Sequence, residues 1–382
     1  MAAIPKVILL IETSTAFGRG LLRGIAKYSH LHGPWVFYRE VGGMRKTLPQ
    51  LRDWGANGMI VREVKKQEEM FAMGLPTIVC PHIRGRVPGV PNIVGDDDAI
   101  GTMAAEYLLH RGFKHFAFCG FDDMFWSRGR GENFGKRTAE AGFETHFYKQ
   151  PRTKAKRLWQ NEQAIIADWL KSLPKPAGLM ACNDERGQHV TEACKLAGLH
   201  VPEEVAVLGV DNDESICDLS DPPISSIMFN SERAGYEAAE LLDKMMRGQK
   251  VTKETIIIPA LHIVTRQSTD IFALEDREVA NALRFIRKHS KELIQVRDVL
   301  NVVSLSRYSL YQRFRRALGS SPNKEIRRAR VDQVARLLVE TNLSISEIAS
   351  VLGYSSAAHI ARYFREEKGM SLQKYRKLYG KR

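Results

Sequence analysis

The stretch Ser344-Ile-Ser-Glu-Ile-Ala-Ser-Val-Leu-Gly-Tyr-Ser-Ser-Ala-Ala-His-Ile360, running on to Phe364 and Gly369, decides what the last third of the chain is. Ser344 and Glu347 form a capping box, so a short helix opens there. Its core face is Ile345, Ile348, Ala349 and Leu352. Gly353 then supplies the left-handed residue that ends it. Ser355 or Ser356 starts a second helix, which carries Ile360 and Phe364 on its inner face and Gly369 at its end. Helix, tight turn, helix is the pattern of a helix-turn-helix unit.

The unit occurs twice. At an offset of 50 residues Ser306 maps to Ser356, Leu310 to Ile360, Phe314 to Phe364, Gly319 to Gly369 and Ser321 to Ser371, which points to an internal duplication. The first copy runs from Val296 through Ser304-Leu305-Ser306 into Arg307–Leu318. Between the copies, Ser321-Pro322 is an N-cap with proline in the first helical position. It starts a helix through Ile326, Ala329, Val334, Leu337 and Leu338, long enough to hold the units rigidly apart.

The outer faces indicate the chemistry. On the first recognition helix they carry Arg307, Tyr308, Tyr311, Gln312, Arg315 and Arg316; on the second, Ala357, Ala358, His359, Arg362 and Arg365. Arginine and glutamine can pair bidentately with guanine and adenine edges, and alanine methyls can meet thymine methyls. Arg327, Arg328, Arg330, Lys374, Arg376 and Lys377 are expected to hold phosphates. Charge agrees: residues 271–382 hold 23 of the 57 basic and 11 of the 44 acidic residues, leaving 34 basic against 33 acidic before them. A nearly neutral domain joined to a polyanion-binding one has this profile. A basic helical domain docking on an acidic protein is the rival reading, and it does not explain a duplicated turn with matched caps.

Up to about residue 270 the pattern changes. Strand-like runs at Lys6–Ile11, Trp35–Arg39, Gly58–Val61, Thr77–Cys80, His115–Cys119, Gly178–Cys182, Val205–Val210 and Ile256–Ile258 alternate with helix-like Gly20–Leu31, Ile100–His110, Gln160–Leu170, Arg186–Leu196 and Ala234–Met246. Such alternation builds parallel sheets covered by helices. Some 270 residues exceed one ordinary sheet, so two α/β lobes flanking a cleft are expected. The domains are therefore read as 1–270, two-lobed α/β, and 271–382, all-α with two helix-turn-helix units. Ligands in such sheets bind beyond the carboxyl ends of the strands.

With 44% hydrophobic and 26% charged residues the chain is an ordinary globular one. The apolar start Val7–Ile11 is followed at once by Glu12 and lacks a cleavage site, so it reads as a first strand and a cytoplasmic location is expected, with no membrane contact. Cys80, Cys119, Cys182, Cys194 and Cys217 are odd in number and widely spaced, which suits free thiols better than disulfides or zinc. Gly18, Gly20 and Gly24 lack nucleotide-binding spacing, and no catalytic or metal-ligand set shows; neither enzyme activity nor a cofactor is expected.

The region Ser346-Glu-Ile-Ala-Ser-Val-Leu-Gly-Tyr-Ser355, with Phe364-Arg-Glu-Glu-Lys-Gly369 and Tyr375-Arg376, resembles the signature of AraC-type regulators over roughly residues 277–380; Ser304 stands where members usually carry glycine. Phe17-Gly-Arg-Gly-Leu-Leu-Arg-Gly24, Val94-Gly-Asp-Asp97 with Gly101, Ala181-Cys-Asn-Asp184 and Gly209-Val-Asp-Asn-Asp213 resemble the sugar-binding cores of LacI-type repressors and periplasmic binding proteins. Together the resemblances imply a DNA-binding transcription regulator controlled by a small sugar, xylose or a related monosaccharide. Its implied ligand residues include Phe17, Arg19 and Asp97.

Asp184 and Asp211 close predicted strands, where each carboxylate can accept sugar hydroxyls, although Asp184 also suits a helix N-cap and Asp211 an Asp-Asn turn. Arg128, in a basic, glycine-rich loop, offers a planar donor fork or points to solvent. Trp126, Phe17 and Phe125 offer flat apolar faces, or simply pack. Glu12 would bring a negative charge to the cleft mouth. The expected partners are double-stranded DNA, a sugar effector, a second copy of the chain, since half-sites mirror a two-fold protein, and RNA polymerase for an activator. The rivals are the same regulator with a non-sugar effector, a solute-binding transport protein, and an alkyl-transfer DNA-repair enzyme needing an activated thiolate.

Overall fold

The computed structural model describes residues 4–39, 54–62, 70–251, 255–271, 273, 276–354 and 356–380. Ser355, one of the two residues expected to restart the second recognition helix, lies outside them. Two six-stranded sheets form the first part. One has the order β11-β5-β4-β3-β1-β2, built from β1 (Lys6–Leu10), β2 (Val36–Arg39), β3 (Gly58–Arg62), β4 (Thr77–Cys80), β5 (Asn92–Gly95) and β11 (Thr255–Ile258). The other has the order β12-β10-β9-β8-β6-β7, built from β6 (His115–Cys119), β7 (Thr145–Phe147), β8 (Ala177–Ala181), β9 (Val205–Val210), β10 (Ser225–Phe229) and β12 (Ala260–Val264). All pairings are parallel except β10 with β12. The central strands are apolar along their whole length because helices cover both faces, as Val205–Val210 shows by being buried throughout.

The chain passes between the sheets three times: after β5, after β10, and between β11 and β12. The helices of this part are α1 (Ala16–His32), α2 (Asp97–His110), α3 (Phe125–Glu140), α4 (Trp159–Ser172), α5 (Asp184–Ala197), α6 (Glu214–Leu219) and α7 (Ser231–Met246). Four strands escape the sequence pattern: β5 and β7 are short, β10 opens with the buried Ser225 and Ser226, and β12 is interrupted by His262 and follows β11 after a single residue. Helix α3 is a correction, since its glycines argued for a loop. Gly131 lets the helix lie on Phe118, with a β-carbon there only 2.6 Å from that ring, and packing outweighs propensity.

Helices α1 and α7 cross at glycines. A β-carbon on Gly24 would stand 1.9 Å from the Glu232 carbonyl oxygen, and one on Gly235 would stand 2.1 Å from that of Leu21. Backbone cannot yield as a flexible side chain can. Gly24→Ala is therefore expected to cost about 1–3 kcal/mol as the helices are forced apart, read as a lower urea midpoint at unchanged slope; an unaltered midpoint would show that the helices separate freely.

The second part is all helix: α8 (Arg277–Lys288), α9 (Val296–Leu300), α10 (Arg307–Leu318), α11 (Pro322–Glu340), α12 (Ile345–Val351), α13 (Ala357–Lys368) and α14 (Leu372–Tyr379). The expected caps are present: the Ser344/Glu347 box, Ser306, Ser321 and Ser356 as N-caps, and Gly319 and Gly369 left-handed at the ends of the recognition helices. Each unit has its own core, around Leu310 and Phe314 in the first and Ile360 and Phe364 in the second. Helix α11, about 28 Å long at 1.5 Å per residue, meets the α/β part near both ends. His110 Nε2 lies 2.9 Å from a Glu325 oxygen, and His262 Nε2 lies 3.3 Å from one of Glu340.

Candidate functional site

The carboxyl ends of both sheets converge on one cleft. β1 leads to Glu12, β3 ends at Arg62, β4 leads to His82 and the crossing after β5 to Asp97; from the other lobe come Asp184 after β8, Asp211 after β9 and Phe229 at the end of β10. Arg130 on α3 is the centre of this group, although the sequence singled out its neighbour. It is 5% exposed; its Nε donates to Asp97 at 3.3 Å, one Nη donates to the Cys182 carbonyl at 2.5 Å and lies 3.7 Å from Asp211. Its guanidinium sits 4.9 Å from the Trp126 ring and 5.8 Å from that of Phe229.

Arg128 is corrected: it is helical, exposed, and donates to the Asp122 carbonyl at 2.8 Å, so the donor fork in the cleft belongs to Arg130. Asp184 is 1% exposed, and its oxygens already accept from Ser226 Oγ at 2.5 Å and the Asp213 amide at 2.7 Å. It holds the turn after β9 in place, while the N-cap of α5 is Asn183. That turn carries positive φ at Asp211 (106°) and Asn212 (48°), which side chains rarely adopt and which the Asp184 hydrogen bonds fix. Arg19 pairs with Asp213 at 2.7 Å, and the half-buried Phe17 ring lies 6.0 Å from Phe229. Phe125 is half-buried one residue before Trp126.

The opposite lobe adds a bridge that no motif announced. Arg62 donates to Glu12 at 2.5 Å and to His82 Nδ1 at 2.7 Å; the His82 and Trp126 rings are stacked at 6.2 Å, with the indole N–H donating to Nδ1 at 3.3 Å. Residues following strand ends without a motif leave no sequence signal, which is why Arg62 and His82 were missed.

Burial pushes the Asp184 carboxyl well above its ordinary range, helped by the charge of Asp211. Burial likewise pushes Asp211 up to about 6, with Arg130 and then Arg62 pulling it back. For folding, a raised acid is most favourable while protonated, so this contribution declines as pH rises through about 6. For a hydroxyl-bearing ligand the sign reverses, because the carboxylate is the better acceptor. Ligand affinity is expected to be full above pH 7 and to drop about tenfold at pH 5, one unit below the group's value; isothermal titration at the two pH values checks this, and a flat profile would remove Asp211 as acceptor.

Burial also pushes the Cys80, Cys119 and Cys194 thiols up to about 12 and Cys182 to about 11, which disfavours the thiolate that alkyl transfer needs. Among the described residues no cluster of three or more histidine, cysteine or carboxylate side chains is placed to hold a metal, and no helix is long and apolar enough to cross a membrane.

The second candidate surface is the pair of recognition helices. Arg307, Tyr308, Gln312, Arg315 and Arg316 are exposed, Tyr308 by 74%, and Tyr311 is half-buried. Ala358, His359, Arg362 and Arg365 are exposed and Ala357 is half-buried. Gln312 Nε2 donates to the Tyr308 hydroxyl at 2.6 Å, and Asn323 donates to that of Tyr311 at 2.8 Å, so these side chains are held in place. Several expected phosphate contacts are instead internal. Arg330 is 8% exposed and donates to the Leu352 carbonyl, Arg327 pairs with Glu366 and Glu367, Arg328 reaches His110, and Arg376 donates to the Leu338 and Leu343 carbonyls. Lys374 and Lys377 remain exposed.

The periplasmic binding protein-like domain profile matches residues 105–269, and a helix-turn-helix domain profile matches residues 299–378. The chain is 34% identical over 380 residues to the xylose operon regulatory protein of Haemophilus influenzae, covering 97% of this chain and 98% of that protein. It is 29% identical to the protein of the same name from Escherichia coli, covering 97% and 96%. A solved structure of a xylose-binding transcription activator superposes with a TM-score of 0.63 at 28% identity over the whole of both chains.

Proposed function

Because the chain belongs to the family of the xylose operon regulatory proteins, we propose that it is a cytoplasmic transcription regulator, without enzymatic activity, that binds double-stranded DNA through its two helix-turn-helix units and is controlled by a small neutral sugar. D-xylose or a related monosaccharide is the effector. Residues 1–270 sense the sugar and residues 271–382 read DNA. The protein acts as a homodimer and meets RNA polymerase where it activates.

The observation that carries the effector chemistry is charge pairing. Among the described residues, three arginines at the cleft each hold a carboxylate: Arg62 holds Glu12, Arg130 holds Asp97 and Asp211, and Arg19 holds Asp213. An anionic ligand bound at any of these three arginines would have to displace its carboxylate, whereas a polyol can donate hydroxyls to Asp97 and Asp211 and stack on Trp126 or Phe17. On the DNA side, Arg307, Tyr308, Tyr311, Gln312 and Arg315 of the first unit, and Ala357, Ala358, His359, Arg362 and Arg365 of the second, are the base- and backbone-contacting sets.

Thermal melts with D-xylose, D-ribose, L-arabinose and D-xylonate test the reading. A neutral sugar at 100 times its dissociation constant should add about 2.7 kcal/mol, and Asp211→Asn should remove most of it. Stabilisation by xylonate alone would overturn the neutral-sugar reading, and no shift with any of the four would point to a non-sugar effector while leaving the DNA-binding reading in place.

A further inference from the structure

Helix α14 ends without a left-handed cap: Gly380 is extended, at φ −70° and ψ 161°, and its amide returns to the Arg376 carbonyl. Among the described residues, the carbonyls of Lys377, Leu378 and Tyr379 then have no partner inside the helix. Their donors come from the α/β part. Arg233 gives one guanidinium nitrogen to the Lys377 carbonyl at 2.7 Å and to that of Leu378, and Asn230 Nδ2 donates to the Tyr379 carbonyl at 2.9 Å. A cation at the negative end of a helix is favourable in its own right. The last helix of the second DNA-reading unit is thus capped by the sensor.

Asn230 also lies where the chain crosses from one lobe to the other. It sits in the crossing from β10 to α7, one of the three strands of chain that join the lobes, and its Oδ1 caps α7 by accepting from the Arg233 amide at 3.0 Å. The residue before it, Phe229, lies against Phe17 and beneath Arg130 in the cleft. Closing two lobes about such crossings turns the backbone there. One side chain therefore spans the hinge, the start of α7 and the end of α14.

We propose that Asn230 is the positioning residue through which lobe closure reaches the DNA-binding domain, with Arg233 as its partner: rotation of the crossing tightens or releases the carbonyl end of α14 and so reorients the second unit. This rests on the effector reading proposed above. The amide is required for a physical reason, since it must accept at one end and donate at the other. Asn230→Ser keeps an N-cap and loses the reach; Asn230→Asp keeps the N-cap and turns an acceptor toward the Tyr379 carbonyl.

Hydrogen exchange of the full-length chain, followed at residues 372–380 with and without D-xylose, tests this. In the unmodified protein, saturating D-xylose should change exchange there at least threefold. In both Asn230 variants that response should vanish while the D-xylose melting shift remains. A response that persists in the variants, or a melting shift in the unmodified protein with no change at 372–380, overturns the proposal. Should D-xylose shift no protein but D-ribose or L-arabinose do so, the same comparison is made with that sugar; should none of the three shift it, the effector reading has failed and the clamp is judged without ligand. Asn230→Asp and Arg233→Met should then each speed exchange at 372–380 about tenfold over the unmodified chain, and unchanged exchange overturns it.

Discussion

Arg130→Met is expected to abolish the effector-induced melting shift and to destabilise the chain by about 3 kcal/mol at pH 7.5, the low end of the cost of removing one partner from a buried ion pair. Methionine fills much of the same volume but leaves Asp97 and Asp211 without their shared cation and the Cys182 carbonyl without its donor. The Asp97 carboxyl is already raised by burial and drawn down mainly by Arg130, and Arg130 is the largest influence drawing down Asp211. Without it both acids should take up protons more readily, so part of the loss should be recovered at pH 5.5. Arg130→Lys separates charge from geometry: it should restore stability better than ligand response, because a point charge cannot serve two carboxylates and a carbonyl as a planar fork does. Urea melts at the two pH values, with and without D-xylose, check all of this. An Arg130→Met protein with normal stability and a normal melting shift would take Arg130 out of the site.

The error of two residues between Arg128 and Arg130 shows where sequence reading of this cleft runs out. Gly129, Gly131 and Gly135 gave the segment the look of a loop, and in a loop either arginine serves equally well. In a helix, residues two apart are about 200° apart around the axis, so they face opposite ways. Arg130 points into the cleft and Arg128 to solvent, a distinction available only once the glycines are understood as contact points with Phe118 and Asp97. Asp211 was legible because it closes an apolar strand. Asp184 was legible for the same reason, but its work is one layer deeper, fixing the turn that presents Asp211.

The helical part was easier to read because its signals are local. Caps and glycine stops sit within one or two turns of what they specify, the 50-residue repeat states each of them twice, and the elements follow them closely. The failures there concern long side chains. Arg330 was assigned to phosphate, yet it stands four residues from both Ile326 and Val334, the spacing that puts all three on one face of α11. That face is buried. Periodicity could have placed it; reading arginine as an outward charge overrode the pattern.

The duplicated core sets up the second large effect. Phe314 and Phe364 occupy equivalent positions and both are fully buried, so truncating either to alanine is expected to cost about 3–5 kcal/mol within its own unit. The consequences should differ in range, because the cores differ in what they join. Around Phe314 the packing partners, from Val279 to Ile326, all belong to the helical part. The core around Phe364 includes Leu261 of β12 and packs on Met228 of β10, while Tyr375, whose ring meets Phe364 edge-on at 5.1 Å, donates its hydroxyl to the Leu261 carbonyl. Phe314→Ala should therefore loosen residues 277–326 and leave hydrogen exchange in β10 and β12 unchanged. Phe364→Ala should speed exchange in α13 and α14 and also along β12, and should blunt any effect of D-xylose on the DNA-reading units, since it dissolves the apolar contact through which the sensor holds the second unit. Equal exchange profiles for the two variants would mean that the shared core transmits nothing, and that the units are joined to the sensor only through the polar contacts of α11 and the capped end of α14.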